Sequence, residues 1–224
     1  MYHYWLLKVF FEIKWIIRER IEKMDFFLTH SEVNTLRSAL KPQIAEYKKG
    51  ENIKPMDGYI YILTEGLMYF CTENELYERS ILNFIRPGEM FTNNPTLEIY
   101  NGISYICAKY ASKAAVFSTR EFRLYLSDRP LWQERIDEIF NIGTRERHLS
   151  VNYMLHHRTI RSKLLCFLRD EARIQQSDKI RVPLPFADLA DYIAADRTAL
   201  MKEIGRMKSD GIISGSNREL TLLV

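Results

Sequence analysis

Two short helices are predicted near residue 190 by the spacing of apolar side chains. These recur at i, i+3 and i+4 intervals in two segments, which are Leu189, Ala190 and Ile193, and then Leu200, Ile204 and Met207. Ala194-Ala195-Asp196 separates the segments, and Asp196 is placed to cap the second helix by accepting hydrogen bonds from its free N–H groups. The pattern predicts two helices that meet at a tight turn and bury one face each.

The second helix is predicted to present a short basic face to solvent. With its apolar positions inward, Thr198, Met201, Lys202 and Gly205 point outward, and Arg197 stands at the leading end. An α-helix with its side chains is about 10–12 Å across, so it fits the major groove of B-DNA. There Arg and Lys donate to guanine O6 and N7, and Thr contacts a base edge or a thymine methyl. The pattern favours a DNA-binding function.

A hairpin is predicted after the second helix. Gly211 is suited to end the helix in a left-handed conformation, and two apolar runs flank the turn-forming Gly215-Ser216-Asn217-Arg218. This order of helix, turn, basic helix and terminal hairpin is similar to the winged helix-turn-helix of regulators of the Crp-Fnr (catabolite activator) family. Ala194 stands where that family usually has a Gly in the turn.

The resemblance implies which side chains contact DNA. In the family, bases are read by the first, second and sixth residues of the recognition helix, which here are Arg197, Thr198 and Lys202. The second of these is often acidic in the family, so Thr198 implies a changed base preference. Candidates for phosphate contacts are Arg206, Lys208 and, in the wing, Arg218. The alternative is an ordinary helical hairpin with a solvated basic face, which the complete ordered set of elements disfavours.

From about residue 44 to 118 the pattern changes to short strands separated by turns, which predicts an all-β module. Its turns carry Lys49-Gly50-Glu51, Gly66 and Pro87-Gly88-Glu89-Met90-Phe91, and residues 103–117 are expected to form one strand. These turn sequences resemble those of the cyclic-nucleotide-binding β-roll of the same family. The expected fold class is therefore α+β, with a β-roll, a long dimerisation helix and a winged helix-turn-helix.

Cyclic AMP and cyclic GMP are not expected to bind this roll usefully. In the family, binding needs Phe-Gly-Glu after the Pro-Gly turn to hold the ribose, and an Arg several residues later to pair with the phosphate. Here Phe91 is followed by Thr-Asn-Asn, and no Arg occurs between positions 86 and 120, so the phosphate lacks a bidentate partner. Lys109 and Lys113 lie in the expected strand rather than in this cassette. An effector of this roll would be less anionic and more aromatic or apolar.

Composition narrows the class of protein. The 224 residues suit two modest domains, and 46% hydrophobic and 27% charged residues are typical of a soluble globular protein. From residue 157 onward there are twelve Lys and Arg against nine Asp and Glu, so the formal surplus of +3 falls in the predicted DNA-binding domain. Cys71, Cys107 and Cys166 form no disulfide framework or metal motif, which favours the cytoplasm.

No metal is expected, and the cofactor, if there is one, stays unknown. An oxygen-sensing iron-sulfur cluster needs about four thiolate ligands, which three scattered cysteines do not supply. No motif recommends an axial haem ligand among His30, His148, His156 and His157. The sequence contains no nucleophile-base pairing, phosphate loop or metal-ligand spacing that indicates an enzyme.

A long helix is predicted over 130–156. Its apolar stripe comprises Trp132, Ile136, Ile139, Gly143 and Met154 or Leu155. In the resembled family the corresponding helix pairs with its copy in a second subunit, so the resemblance implies a homodimer and a palindromic operator. The alternative is that the stripe packs on the protein's own β-roll. One further amphipathic helix is predicted over 159–175.

Four regions follow from these patterns: an extension at 1–23, a β-roll domain at 24–129, the dimerisation helix at 130–156 and the DNA-binding domain at 157–224. The extension has helical spacing but is too charged to span a bilayer. Met24 is a candidate for the true start of the protein. The alternatives for the extension are a helix packed on the body and a helix lying on a membrane surface.

The sequence thus predicts a cytoplasmic, homodimeric transcription regulator that binds double-stranded DNA. RNA polymerase is a further partner if the protein activates transcription, and a small-molecule effector is left unidentified. The alternative is a ligand-binding signalling module whose helix-turn-helix serves as a protein interaction surface. The basic residues Arg197 and Lys202 on the outward face disfavour that alternative.

Overall fold

The computed structural model describes residues 27–73, 75, 79–93, 103–140 and 157–223. The predicted extension at 1–23 and Met24 lie outside these ranges, as do Gly143, Met154 and Leu155 of the predicted apolar stripe and two of the four histidines considered above. The division into four regions stays a prediction. Within the described ranges, no helix is long and apolar enough to cross a membrane.

A helix that the strand pattern did not predict comes first. Helix α1 spans His30–Leu40 and begins with a capping box, in which Glu32 N–H donates to the Thr29 hydroxyl and Thr29 N–H donates to the Glu32 carboxylate. It buries Val33 and Leu36 against the following sheet. Leu28 N–H donates to Gly88 O at 3.1 Å, which ties the entry of α1 to the turn after the fifth strand.

Within the described residues, eight strands form the predicted β-roll. They are β1 Gln43–Tyr47, β2 Asn52–Ile53, β3 Tyr59–Glu65, β4 Met68–Glu73, β5 Arg79–Ile85, β6 Met90–Thr92, β7 Ile103–Ala108 and β8 Ser112–Ser118. Two antiparallel four-stranded sheets result, in the orders β1-β8-β3-β6 and β2-β7-β4-β5. One core cluster joins the facing sides of the two sheets and includes Tyr61, Leu63, Met68 and Phe91.

The expectation of one strand over 103–117 is wrong. The segment is a hairpin of β7 and β8, and each strand joins a different sheet. Lys109 therefore lies at the hairpin turn, where its N–H donates to Leu67 O at 2.9 Å, whereas Lys113 lies in β8. The turn at 109–111 contains no Gly or Pro, so the sequence has no turn-forming residue that would indicate a break between two strands.

Gly66 makes the tight β3–β4 turn that the sequence predicts. Its φ is +95°, a conformation that L side chains rarely adopt, and a Cβ would collide with the Ser112 side chain and the backbone at Ala111. The requirement for Gly is therefore both conformational and steric.

Two helices follow the roll. Helix α2 spans Thr119–Ser127, and residues 130–140 form α3. Its first residue is Pro130, whose missing N–H costs no hydrogen bond in the first turn. Ile136 and Ile139 are buried with α1, α2 and the β3–β8 pair, and Trp132 packs beside them. In this part of the predicted stripe, packing on the protein's own β-roll is confirmed.

The C-terminal region is a helical unit closed by a small sheet. It contains α4 Ile160–Gln175, β9 Lys179–Arg181, α5 Phe186–Tyr192, α6 Arg197–Ser209, β10 Ile213–Ser216 and β11 Glu219–Leu222. The predicted terminal hairpin is confirmed, with Asn217 and Arg218 at its tip. Strand β9 pairs with β11, with Ile180 opposite Leu220, so the sheet has three strands in the order β10-β11-β9.

Candidate nucleic-acid interface

The helix pair α5 and α6 has the geometry that the apolar spacing predicted. All six of the apolar residues chosen from the sequence are buried, at 4% exposure or less. Asp196 caps α6, because its side chain accepts a hydrogen bond from Ala199 N–H at 2.8 Å. After the last turn of α6, Gly211 has a φ of +70°, as expected of a residue that ends a helix.

The turn between the two helices is held by backbone and side-chain bonds. Ala194 takes a left-handed φ of +48°, the position at which the resembled family usually has Gly. Ala195 N–H donates to Ala190 O at 2.9 Å. Lys163 of α4 reaches the same turn, and its Nζ donates to Ile193 O at 3.0 Å and to Ala194 O at 3.2 Å. No feature of the sequence pattern pointed to this role of Lys163.

The outward face of α6 is open to solvent. It consists of Arg197, Thr198, Met201, Lys202 and Gly205, all of them exposed. A Cβ added at Gly205 would have no heavy atom within 4 Å, so the helix surface is flat and unobstructed there. The three residues predicted to read bases therefore share one accessible surface at the start and middle of one helix.

The three residues predicted to contact phosphates differ in their surroundings. Arg206 is 70% exposed and contacts Glu203 at 3.4 Å, and Lys208 is exposed near the end of α6. Arg218 is only half-buried and its Nη1 donates to Pro183 O at 3.4 Å. Arg206 and Lys208 thus extend the basic surface of α6, whereas Arg218 folds back from the tip of the wing toward the chain before α5.

A salt-bridge network that the sequence did not predict joins α4 to α6. Arg161, in the first turn of α4, donates from Nε to Glu203 and contacts Asp210 through Nη1 at 2.7 Å. Glu203 is one of only three buried polar or charged side chains among the described residues. This network ties the middle of α6 and the residue that follows its last turn to the start of α4.

The helix pair also packs on the β-roll. One continuous core cluster contains Phe84 and Cys107 of the roll together with residues of α4, α5 and α6. The Tyr192 ring of α5 lies edge-on to Phe84 at 5.3 Å and to Phe167 of α4 at 5.9 Å, measured between ring centroids. We call this contact between the outer face of the β4-β5-β7 sheet and helices α4 and α5 the domain junction.

Two carboxylates of the domain junction are paired with groups of the β-roll. Asp188 of α5 accepts a hydrogen bond from the Tyr69 hydroxyl at 2.8 Å and forms an ion pair with Lys109 at 2.6 Å. Burial, and then the hydrogen bond donated to Asp188, raise the pKa of Tyr69 well above its usual value, so the phenol stays a donor. Glu171 of α4, 2% exposed, binds Arg86, whose Nη1 donates to Oε2 at 3.0 Å.

The interior of the roll is filled by aromatic and aliphatic side chains. Tyr61 and Phe91 stack with their ring centroids 5.0 Å apart, and Met56 N–H donates to the Tyr61 hydroxyl at 3.1 Å. Residues 94–102, where the family's cassette would continue, lie outside the described ranges. A separate cleft of about 430 Å³ lies between the start of β3 and helices α2 and α3, and its lining includes Tyr59, Phe122 and Asp137.

The described cysteines form no metal site. Cys71 and Cys107 are buried on neighbouring strands, Cys166 is half-buried, and none of the three is in a disulfide. Burial raises the pKa of Cys71 to about 11, against the opposing effect of nearby Arg79, so this thiol is neutral at pH 7. No group of three or more His, Cys, Asp or Glu side chains that could hold a metal occurs in the part of the chain that the structure describes.

A β-roll followed by a helix that packs on it and a winged helix-turn-helix is the fold of the Crp-Fnr transcription regulators, and this chain has that fold. The resemblance predicted from the sequence is confirmed at the level of the fold. The expected class α+β is confirmed as well, with helices and antiparallel sheets in both halves of the chain.

Three solved structures illustrate the match. A variant of CooA from Carboxydothermus hydrogenoformans has a TM-score of 0.68 and 16% identity, over 88% of this chain and 94% of the other. The c-di-GMP-responsive global regulator CLP of Xanthomonas campestris has a TM-score of 0.57 and 12% identity, over 85% and 98%. A transcriptional regulator of the CRP/FNR family from Thermus thermophilus has a TM-score of 0.52 and 17% identity, over 81% and 94%. The sequence matches no protein-family model and no curated protein.

Proposed function

We propose that the protein is a homodimeric, sequence-specific DNA-binding transcription regulator of the Crp-Fnr type. The observation that carries the proposal is the recognition helix, which is capped by Asp196 and presents Arg197, Thr198 and Lys202 on one open face. A helix with this diameter and these donors suits the major groove. The turn bonds from Lys163 and the network of Arg161 support the proposal, because base recognition requires a helix that is held in place.

The residues of this surface have two kinds of role in the proposal. Arg197, Thr198 and Lys202 contact base edges and therefore determine sequence preference. Arg206 and Lys208 contact phosphates and therefore strengthen binding to any sequence, since neutralised phosphates release counterions. Arg218 reaches a phosphate beside the wing after its weak bond to Pro183 O is given up.

Dimer formation and a palindromic operator belong to the same proposal. A two-fold dimer places two recognition helices in successive major grooves, so the operator mirrors the symmetry of the protein. In the described part of α3, Ile136 and Ile139 pack on the roll, whereas Leu131 is 80% exposed. This helix therefore has an apolar side chain that the protein's own core does not cover. RNA polymerase is a partner if the outcome of binding is activation.

We also propose that the effector is not cyclic AMP. Arg86 precedes the segment in which the family has its phosphate-binding Arg, and its guanidinium is bound to Glu171 at the domain junction. The stacked rings of Tyr61 and Phe91 occupy the interior of the roll. Any effector is therefore less anionic and more aromatic or apolar than a cyclic nucleotide. The cleft lined by Tyr59 and Phe122 offers surface of that kind in the described part of the chain.

The test is binding of the purified protein to duplex DNA from upstream of its own gene over a range of salt, with and without micromolar cyclic AMP. We expect salt-dependent, sequence-preferring binding that cyclic AMP does not change. Arg197→Ala should cost about 1–3 kcal/mol and relax preference at one position, and Lys208→Ala should weaken binding to all sequences alike. Lys49→Ala, which removes an exposed charge from the roll, is the matched control.

Four results would contradict the proposal or one part of it. Salt-independent binding, or equal losses on preferred and random duplexes for Arg197→Ala, would remove the base-recognition assignment. Binding of a protein partner through the exposed face of α6, with no affinity for DNA, would instead support the signalling module. A strong gain in DNA affinity with cyclic AMP would overturn the statement about the effector alone.

A further inference from the structure

Arg197, the leading residue of the recognition helix, is bound to an acidic side chain of the preceding helix. Its Nη2 lies 3.3 Å from Oδ2 of Asp191, near the end of α5. The Arg197 side chain is 64% exposed and that of Asp191 36% exposed, so the pair lies at the surface that would face DNA. Sequence reasoning assigned Asp191 no role.

The backbone that carries Asp191 is held on both sides. Ala190 before it is fully buried, and the ring of Tyr192 after it packs against Phe84 and Phe167. Ala194 N–H also donates to Asp191 O at 3.3 Å. The backbone at Asp191 therefore has a defined position relative to the first turn of α6.

An exposed ion pair of this kind adds little to folding stability, because solvent screens it and both side chains lose freedom. Its consequence lies in the orientation of the guanidinium. Arg has N–H donors on three nitrogens in a fixed planar fork, and the bond to Asp191 uses Nη2. Among the described residues no second acceptor contacts this side chain, so its other donors are free to meet a base.

We propose that Asp191 is a positioning residue for base recognition, which holds Arg197 in the orientation that donates to O6 and N7 of guanine. The same carboxylate is a negative charge beside the phosphate backbone and therefore weakens binding to DNA of any sequence. Asp191 thus raises discrimination and lowers general affinity. This inference rests on the proposed function, because it needs α6 to lie in the major groove.

The experiment compares dissociation constants of wild type, Asp191→Asn, Arg197→Ala and the double variant. Three kinds of duplex are compared. The first is a preferred duplex that the wild-type protein selects from random sequences. The others are its three variants at the base pair where Arg197→Ala relaxes preference, and a random duplex. For Asp191→Asn we expect discrimination at that base pair to fall about three- to tenfold, a part of what one bidentate contact supplies. We expect random DNA to bind about two- to fivefold more tightly.

Asp170→Asn is the matched control. It removes the same charge from α4, where Asp170 is paired with Arg173 at 3.0 Å, and it leaves the recognition helix unchanged. We expect its discrimination among the four base pairs to equal that of wild type. Thermal unfolding of Asp191→Asn should match wild type closely, which separates a positioning role from a structural one.

The double variant gives the decisive comparison. If Asp191 acts through Arg197, then Asp191→Asn changes discrimination in the wild-type background and not in the Arg197→Ala background. Unchanged discrimination in Asp191→Asn, or a loss that persists without Arg197, would overturn the inference and leave the proposed function intact. A wild-type protein that selects no preferred duplex would overturn the proposed function, and the inference with it.

Discussion

Arg–carboxylate pairs occur in two regions of the molecule, and the two regions differ in burial. One is the domain junction, and the other is the exposed face of α6 that carries Arg197, Thr198, Lys202 and Arg206, which we call the recognition face. At the junction Glu171 is 2% exposed and its partner Arg86 15% exposed. On the recognition face Arg197 is 64% exposed and Arg206 70% exposed. Loss of one partner leaves an uncompensated buried charge at the junction. On the recognition face, loss of one partner of the Arg197–Asp191 pair leaves a solvated charge, and loss of Arg206 leaves Glu203 with its bond from Arg161. The same chemistry therefore contributes more to folding stability at the junction than on the recognition face.

This difference suits the proposed function. The junction fixes where α4 and α5 lie relative to the β-roll through Glu171, Asp188 and the ring of Tyr192. The recognition face keeps its cations in weak, exchangeable pairs, so they can transfer to DNA at small cost. The three predictions that follow test this division, in order of decreasing effect on stability.

The largest effect is expected for Glu171→Ala. The substitution leaves the Arg86 guanidinium, which also lies over the Phe84 ring at 4.6 Å, buried without its carboxylate partner. It also removes an acceptor of the Gln175 side chain. Removing one member of a buried ion pair costs about 3–5 kcal/mol, and denaturant unfolding at pH 7 would measure that loss in the free energy of unfolding.

Glu46→Ala is the matched control for this measurement. Glu46 is also a glutamate in an ion pair, with Lys113 at 3.7 Å, but it is 72% exposed. Its removal should change the free energy of unfolding by less than about 0.5 kcal/mol. Equal effects of the two substitutions would contradict the assignment of a structural role to the buried pair.

A smaller loss is expected for Tyr69→Phe at the same junction. The change removes the hydroxyl that donates to Asp188 at 2.8 Å and leaves the Lys109–Asp188 pair in place. A hydrogen bond to a charged group contributes about 1.5–3 kcal/mol, so unfolding should become easier by that amount. Tyr59→Phe, at a 40% exposed tyrosine, is the control and should be nearly neutral. A neutral Tyr69→Phe would mean that this bond adds nothing to the junction.

The recognition face was predictable from the sequence, and the domain junction was not. The apolar spacing, the cap at Asp196 and the open face at Thr198 and Lys202 are local features, because helical geometry relates residues three and four apart. The junction joins residues that are 119 positions apart at Tyr69 and Asp188, and 85 apart at Arg86 and Glu171. No periodicity in one sequence reports such pairs.

Two of the missed elements differ in how much signal they carried. Helix α1 carried a local signal, because Thr29 and Glu32 have the spacing of a capping box. The β7–β8 hairpin carried no such signal, because Lys109-Tyr110-Ala111 contains no turn-forming Gly or Pro. The pairing of β9 with β11 of the wing likewise could not be predicted from local pattern, because it depends on contacts about 40 residues apart.

The smallest effect on stability, combined with a clear effect on DNA binding, is expected for Arg206→Ala. Its partner Glu203 keeps the bond from Arg161, so no buried charge is left alone and the free energy of unfolding should change by less than about 0.5 kcal/mol. As a phosphate contact, Arg206 should add about one unit to the slope of log K against log salt, and the variant should lose that unit on preferred and random duplexes alike. Salt titrations of wild type, Arg206→Ala and the control Lys49→Ala would measure the slope. A loss confined to the preferred duplex would instead make Arg206 a base-reading residue and would extend the recognition surface by one helical turn beyond Lys202.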